Sequence, residues 1–221
     1  MEMSLFLAER RQQYFKILQK NGIWESEVLR NMKLLPNLLS VSLVFAGLMA
    51  IFTNRTCFAQ EPPFELPPPD KMARLKTAII YTEYGNIHIE LYPEDAPWHV
   101  ANLKYRADKG YYKNTVFTYL QPGLLIQGGR PTDARKKNPY FLPPEFTGYK
   151  HEPGAVGMAR APDSVNPERK SHARQFYIML GYGPHMNGRY TIFGRVTEGM
   201  DVVRMLRPGD RIVDIKVFVR K

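Results

Sequence analysis

Cysteine is almost absent from this chain: Cys57 is the only one, so neither an intrachain disulfide nor a thiolate metal site can form. The five histidines, His88, His99, His151, His172 and His185, show neither HxxxH nor HxH spacing, so no metal site is expected and no cofactor is implied. No run of five or more like charges occurs, and no internal repeat is visible. The net charge of +10 is scattered: the first 59 residues hold 7 Lys+Arg and 4 Asp+Glu, and the remainder still carries +7. This pattern reads as a basic domain with dispersed charge and no nucleic-acid partner. Strand-like runs do not alternate with helices in a βαβ pattern, which excludes a doubly wound parallel sheet.

What is present begins with an apolar stretch from Leu34 to Phe52, preceded by Lys33 and followed by Asn54, Arg55 and Cys57-Phe58-Ala59. A basic residue, an apolar run and a small-x-small site ahead of Gln60 give residues 32–59 the pattern of a secretory signal peptide, starting at Met32 and cut after Ala59. Some 19 apolar residues are also long enough to span a bilayer, so a retained membrane anchor over 34–52 is the alternative. Either way the expected destination is export, periplasmic or extracellular. Membrane contact is expected only through this segment if it stays uncleaved. Residues 1–31 are either an over-long start or a cytoplasmic extension. Five prolines between Glu61 and Asp70 make residues 60–75 a semi-rigid linker, and 76–221 is the folded domain.

The domain opens with two alternating strands, Thr77 to Tyr92, joined at Gly85-Asn86, with Ile87, Ile89 and Leu91 on one face. A helix follows, with Asp95 as its expected cap, Pro97 in its first turn, Val100, Leu103 and Ala107 as its buried stripe, and Gly110 as its stop. Short strands are expected at Thr115–Leu120, Leu124–Gly128, Ala155–Ala159, Phe176–Leu180, Thr191–Val196 and Ile212–Arg220. A brief helix, Gly199–Leu206, precedes the last of them. The expected fold class is mainly β: a closed eight-stranded antiparallel β-barrel with two flanking helices.

Residues 116–130 carry the chemistry. Two apolar runs flank a Pro122-Gly123 turn, and the second delivers a lone polar Gln127 just before Gly128-Gly129. An apolar strip ending in one fixed amide is a binding-groove pattern. This segment resembles the central signature of the cyclophilins, the peptidyl-prolyl isomerases. The hairpin, the helix with Asn102, Gly157-Met158-Ala159, Gln175-Phe176-Tyr177-Ile178 and Gly188 to Val196 resemble that family in order and spacing. The resemblance covers about Thr77 to Arg220.

It implies a proline site of named parts. Leu124 and Leu125 take the places of the pocket Phe and Met, Tyr177 that of the Phe on the floor, Met186 that of the pocket Leu, and Tyr190 that of the His that closes the site. Gln127 matches the glutamine that orients the catalytic arginine and the substrate, and Ala159 and Arg160 match the strand whose backbone holds the residue before proline. Gln175 and His185 complete the substrate-binding set. Tyr119 stands where the family carries its catalytic arginine, so the pair expected to act on the peptide bond is Tyr119 and Gln127. Phe117 and Phe176 are expected in the core. Arg160, Arg174 and Arg189 are candidates to replace the missing charge, and Arg169, Lys170 and Arg174 would favour acidic residues near the substrate proline.

The function this implies is prolyl isomerisation during the folding of exported proteins, at a rate reduced by Tyr119, with proline-containing unfolded or flexible polypeptides as partners. Two readings compete: a chaperone or scaffold module that keeps the groove without turnover, and a basic barrel that docks on anionic envelope surfaces.

Overall fold

The computed structural model describes residues 61–132 and 140–220. The expected extension, leader and anchor lie outside these residues. Among the described residues, no helix is long and apolar enough to cross a membrane.

The chain is mainly β. Strands β1 (Thr77–Thr82) and β2 (Gly85–Leu91) form the expected hairpin, in register from Thr77 opposite Glu90 to Thr82 opposite Gly85. Their period-two pattern puts Ala78, Ile80, Ile87, Ile89 and Leu91 into the core and leaves Glu90 in solvent. The turn holds because Thr82 Oγ1 donates to the Gly85 carbonyl and accepts the Tyr84 N–H.

The remaining strands are β3 (Thr115–Val116), β4 (Tyr119–Gln121), β5 (Leu125–Gly128), β6 (Phe141–Leu142), β7 (Ala155–Met158), β8 (Ser171–His172), β9 (Phe176–Met179), β10 (Ile192–Glu198) and β11 (Arg211–Phe218). Nine of the strands form one antiparallel sheet in the order β3-β11-β1-β2-β10-β7-β9-β5-β4, and β6 and β8 form a separate pair. The expected closed eight-stranded barrel is therefore corrected to a nine-stranded curled half-barrel. The difference arises in the run expected as one strand, 115–120. Val116 N–H donates to the Arg130 carbonyl and Phe117 N–H to that of Asp210, while Thr118 N–H donates to Gln127. The backbone changes partners at Phe117-Thr118, so β3 belongs to β11 and β4 to β5, and they become the two edges of the sheet.

Three helices are described rather than two: α1 (Pro69–Met72), α2 (Pro97–Asp108) and α3 (Met200–Met205), with a 3₁₀ turn at Pro184–Met186. Helix α1 lies in the proline-rich segment, where Met72 and Leu75 enter the core and the Phe64 ring packs on Trp98, Tyr105 and Tyr140. Pro97 opens α2 as expected, and Val100 and Leu103 are buried. Asp95 is not its cap; that carboxylate accepts the Tyr149 hydroxyl instead. The exposed helical N–H groups of Trp98 and His99 donate to Glu145, whose Oε2 also lies 2.6 Å from His99 Nδ1. A carboxylate at a helix N-terminus satisfies otherwise orphaned donors and opposes the helix dipole favourably.

Helix α2 also reaches toward the groove. Asn102 Nδ2 donates to the Ala173 carbonyl at 2.9 Å, and Asn102 Oδ1 accepts from Tyr140 and Arg106. The buried Arg106 guanidinium lies over the Tyr111 and Tyr140 rings. The turn at 172–175 is thus held from below by the helix.

Candidate active site

The core divides in two. Phe117 and Phe176, as expected, belong to the main cluster, 0% and 1% exposed. A second cluster gathers Leu125, Ala155, Ala159, Tyr177, Met179, Met186 and Ile192, with Tyr92, Leu124 and Tyr190 packed against it at partial burial. Six of the residues singled out in the sequence, Leu124, Leu125, Ala159, Tyr177, Met186 and Tyr190, fall together here. They come from β5, β9, the end of β7 and the segment around the 3₁₀ turn. The adjacent pairing of β5 with β9 and β9 with β7 makes them one surface.

Tyr177 forms a fixed base. Asn187 Oδ1 accepts both the backbone N–H and Nδ1–H of His151, so His151 Nε2 is the acceptor for the Tyr177 hydroxyl at 2.8 Å. Burial pushes the Tyr177 phenol well up and the His151 imidazole down, the Asn187 contact opposing the latter. Gly157 makes room for this hydroxyl, since a Cβ there would lie 2.2 Å from the Tyr177 oxygen. Tyr177→Phe is expected to cost about 1–2 kcal/mol of unfolding free energy, because His151 Nε2 is left buried without a donor. Urea denaturation measures this, and a cost under about 0.5 kcal/mol would mean that water takes over the bond.

Tyr190 forms a wall, its ring edge-on to Tyr177 at 6.1 Å between centroids. On its other side sits the Arg160 guanidinium, 4.4 Å from the ring centroid. Arg160 donates to the carbonyls of Arg189 and Ala161 and pairs with Asp163 at 2.6 Å. It is held at the groove wall, so its charge is already partnered. The rim loop is similarly occupied: Arg169 pairs with Asp163 and Lys170 with Glu168. Asp163 is shared between Arg160 and Arg169, and such exposed pairs are weak, so positive charge is left on the rim.

The polar end lies across β4 and β5. Tyr119 and Gln127 are direct partners in the ladder and project on one face. Tyr119 is 51% exposed, with its hydroxyl 3.5 Å from Gln121 Oε1. Gln127 Nε2 donates to Gln175 Oε1 at 2.6 Å. Ala159 differs from its expected part: its N–H donates to the Gln175 carbonyl and its carbonyl accepts from His172, so its backbone is engaged within the chain. His185 is exposed on the 3₁₀ turn, and only its neighbour Met186 enters the cluster.

Sequence reasoning passed over His151, Asn187 and His172. The only available signal was the pairing of a tyrosine at 177 with a glycine at 157, too far apart in the chain to be read as contact. His172 accepts the backbone N–H groups of Arg174 and Gln175 on Nδ1. Burial, with the charges of Arg174 and Arg106 adding, pushes its imidazole down to about 4.

His151 and His172 therefore both have a folded pKa below their unfolded value of about 6.5, so the unfolded chain binds more protons between the two. Their stabilising effect is complete above about pH 6.5 and is lost as the pH falls toward 4. A loss on the order of 2–3 kcal/mol is expected over that range in urea titrations. A flat profile would show that these imidazoles are hydrated in solution.

Among the described residues no group of three or more His, Cys, Asp or Glu side chains is placed to hold a metal ion. A family model described as "Cyclophilin type peptidyl-prolyl cis-trans isomerase/CLD" matches residues 77–217. The chain is 36% identical over 147 residues to Peptidyl-prolyl cis-trans isomerase B of Bacillus subtilis, covering 65% of this chain and 99% of that one. It is 36% identical over 143 residues to a peptidyl-prolyl cis-trans isomerase of Synechococcus elongatus, covering 63% and 94%. A cyclophilin type isomerase from Cryptosporidium parvum, solved in the presence of the dipeptide Ala-Pro, superposes with a TM-score of 0.58 at 28% identity, covering 65% of this chain and 99% of that one. On the length of the match and the near-complete coverage of these relatives, this chain belongs to the cyclophilin-type peptidyl-prolyl cis-trans isomerase family.

Proposed function

We propose that the domain is a peptidyl-prolyl isomerase that acts slowly on proline-containing, unfolded or flexible polypeptides. The supporting observation is the second apolar cluster, which brings an apolar wall and floor beside the Tyr119 and Gln127 pair.

Rotation about an X-Pro bond is slow because amide resonance raises a barrier of roughly 18–20 kcal/mol. Lowering it requires no nucleophile and no bond cleavage. The apolar cluster grips the ring, and a donor near the prolyl nitrogen stabilises the twisted state, in which that lone pair is released from resonance. Tyr119 offers one neutral O–H where the family resemblance places an arginine, hence the reduced rate.

The apolar run at 34–52 and Cys57-Phe58-Ala59 support export, with clients among exported proteins. N-terminal sequencing of the native protein tests this, and a chain beginning near Met1 would refute cleavage. The activity itself is tested by following cis-to-trans relaxation of an Ala-Pro peptide with the purified domain. The exposed Tyr119 also favours a second reading, a proline-peptide holder without turnover. Saturable binding with no acceleration of relaxation would establish the holder and overturn the isomerase.

A further inference from the structure

The charge around the groove is one-sided. Arg160, next to Ala159, is fixed in place: Nε donates to the Arg189 carbonyl and Nη1 to that of Ala161, each at 2.9 Å, and the guanidinium covers the Tyr190 ring. With its side chain only 3% exposed, this cation is held against the wall and needs no rearrangement to act. Its carboxylate partner is Asp163, at 2.6 Å, and the other oxygen of that carboxylate serves Arg169 at 3.0 Å. Lys170 pairs with Glu168. Arg189, which precedes Tyr190, is exposed and forms no ion pair among the described residues.

Arg160, Arg169, Lys170 and Arg189 thus face only Asp163 and Glu168, which leaves the rim at +2. Nothing else in the groove opposes this charge. The second cluster is apolar, and the polar end offers a tyrosine hydroxyl and the amides of Gln127 and Gln175. Acidic side chains elsewhere are engaged: Glu145 caps α2, and Asp95 accepts the Tyr149 hydroxyl. Charge of one sign beside a low-dielectric wall focuses its field into the cleft.

We propose that this rim makes the groove selective for acidic peptides: a carboxylate side chain one or two residues from the proline is drawn to Arg160, Arg169 and Arg189, and a cationic one is repelled. The inference rests on the reading of the groove as a proline-peptide site. An extended chain advances about 3.3 Å per residue. With a proline packed on the Tyr190 wall, a side chain at that separation reaches a guanidinium that lies 4.4 Å from the ring centroid. Asp163 is then the loop's own stand-in for such a side chain, since one carboxylate already holds two guanidiniums together. An incoming carboxylate shares them and offsets the charge that Asp163 leaves uncompensated.

Peptides that differ only in the second residue from proline, as Glu, Ala or Lys, measure this, in one series before the proline and in another after it. In at least one series kcat/KM is expected to rise about fivefold from Lys to Glu at low salt, and the peptides should converge as ionic strength increases. The Glu-to-Lys ratio is the readout because a partly unfolded variant lowers both rates alike. Arg189→Glu should bring the ratio to one or below. Asp163→Asn, which releases both guanidiniums, should raise it. Ratios near one in both series overturn the proposal, as does a preference that neither salt nor Arg189→Glu changes.

Fluorescence anisotropy with the same peptides, labelled, reads the selectivity without turnover. A Kd about fivefold lower for Glu than for Lys, with no peptide isomerised, leaves the charge selection standing and removes the isomerase reading. Equal affinities sink the selection whatever the rate. Binding to phosphatidylserine vesicles with no preference among the peptides would assign the charge to an anionic surface, and overturns it as well.

Discussion

Replacing Tyr119 by arginine is expected to raise kcat/KM for a proline peptide by about two- to thirtyfold. A charged donor in a partly protected site contributes roughly 1.5–3 kcal/mol, against about 1 for a neutral hydroxyl. That difference, about 0.5–2 kcal/mol, corresponds to about two- to thirtyfold in rate. Space is not an obstacle, because Tyr119 is half exposed on an edge strand and its hydroxyl meets Gln121 at the limit of hydrogen bonding. The gain should appear in kcat more than in KM, since the added donor acts on the twisted state and the apolar grip is unchanged. Arg160, one of the cations expected to take the arginine's part, is tied to Asp163 and two carbonyls, so it leaves the deficit uncorrected. Relaxation kinetics on the substituted domain decide the matter: an unchanged rate would show that Tyr119 does not limit catalysis.

The largest single loss of stability is expected at Glu145. Its carboxylate receives the N–H groups of Trp98 and His99 and the His99 ring, and its own N–H donates to Thr191 Oγ1. Glu145→Ala removes a helix cap, at about 1 kcal/mol, and leaves buried His99 without its charged partner, at about 1.5–3 kcal/mol more. A total near 3 kcal/mol is expected as a lower urea midpoint with an unchanged m value. Glu145→Gln keeps one acceptor and should lose about half as much. Should Glu145→Ala unfold within about 1 kcal/mol of wild type, water would be capping the helix.

The parts of this architecture that local pattern specifies were legible before any coordinates. Period-two alternation placed Ile87, Ile89 and Leu91 in the core, and the wide spacing of Leu125, Tyr177 and Met186 was bridged by the family resemblance. The cap of α2 was misread because Asp95 is adjacent in sequence and Glu145 lies 46 and 47 residues from the amides it serves. The split of 115–120 was invisible because hydrophobicity is continuous through Phe117 while the hydrogen-bond partner is not. His172 gave no signal at all: it sits in a charged loop without periodicity, and the two backbone amides its ring accepts are set by the turn that follows β8.

That same split has a bearing on solubility. The strand rows at both margins of the large sheet are β3 and β4, two and three residues long, joined by Phe117-Thr118, and the second is followed at once by Pro122. Long, flat margins are templates onto which a foreign extended segment can add and seed aggregation. A protein proposed to handle unfolded chains meets such segments constantly. By keeping the β4 margin, beside the proposed groove, to three residues and ending it against a proline, this chain offers an extended polypeptide there little ladder to climb.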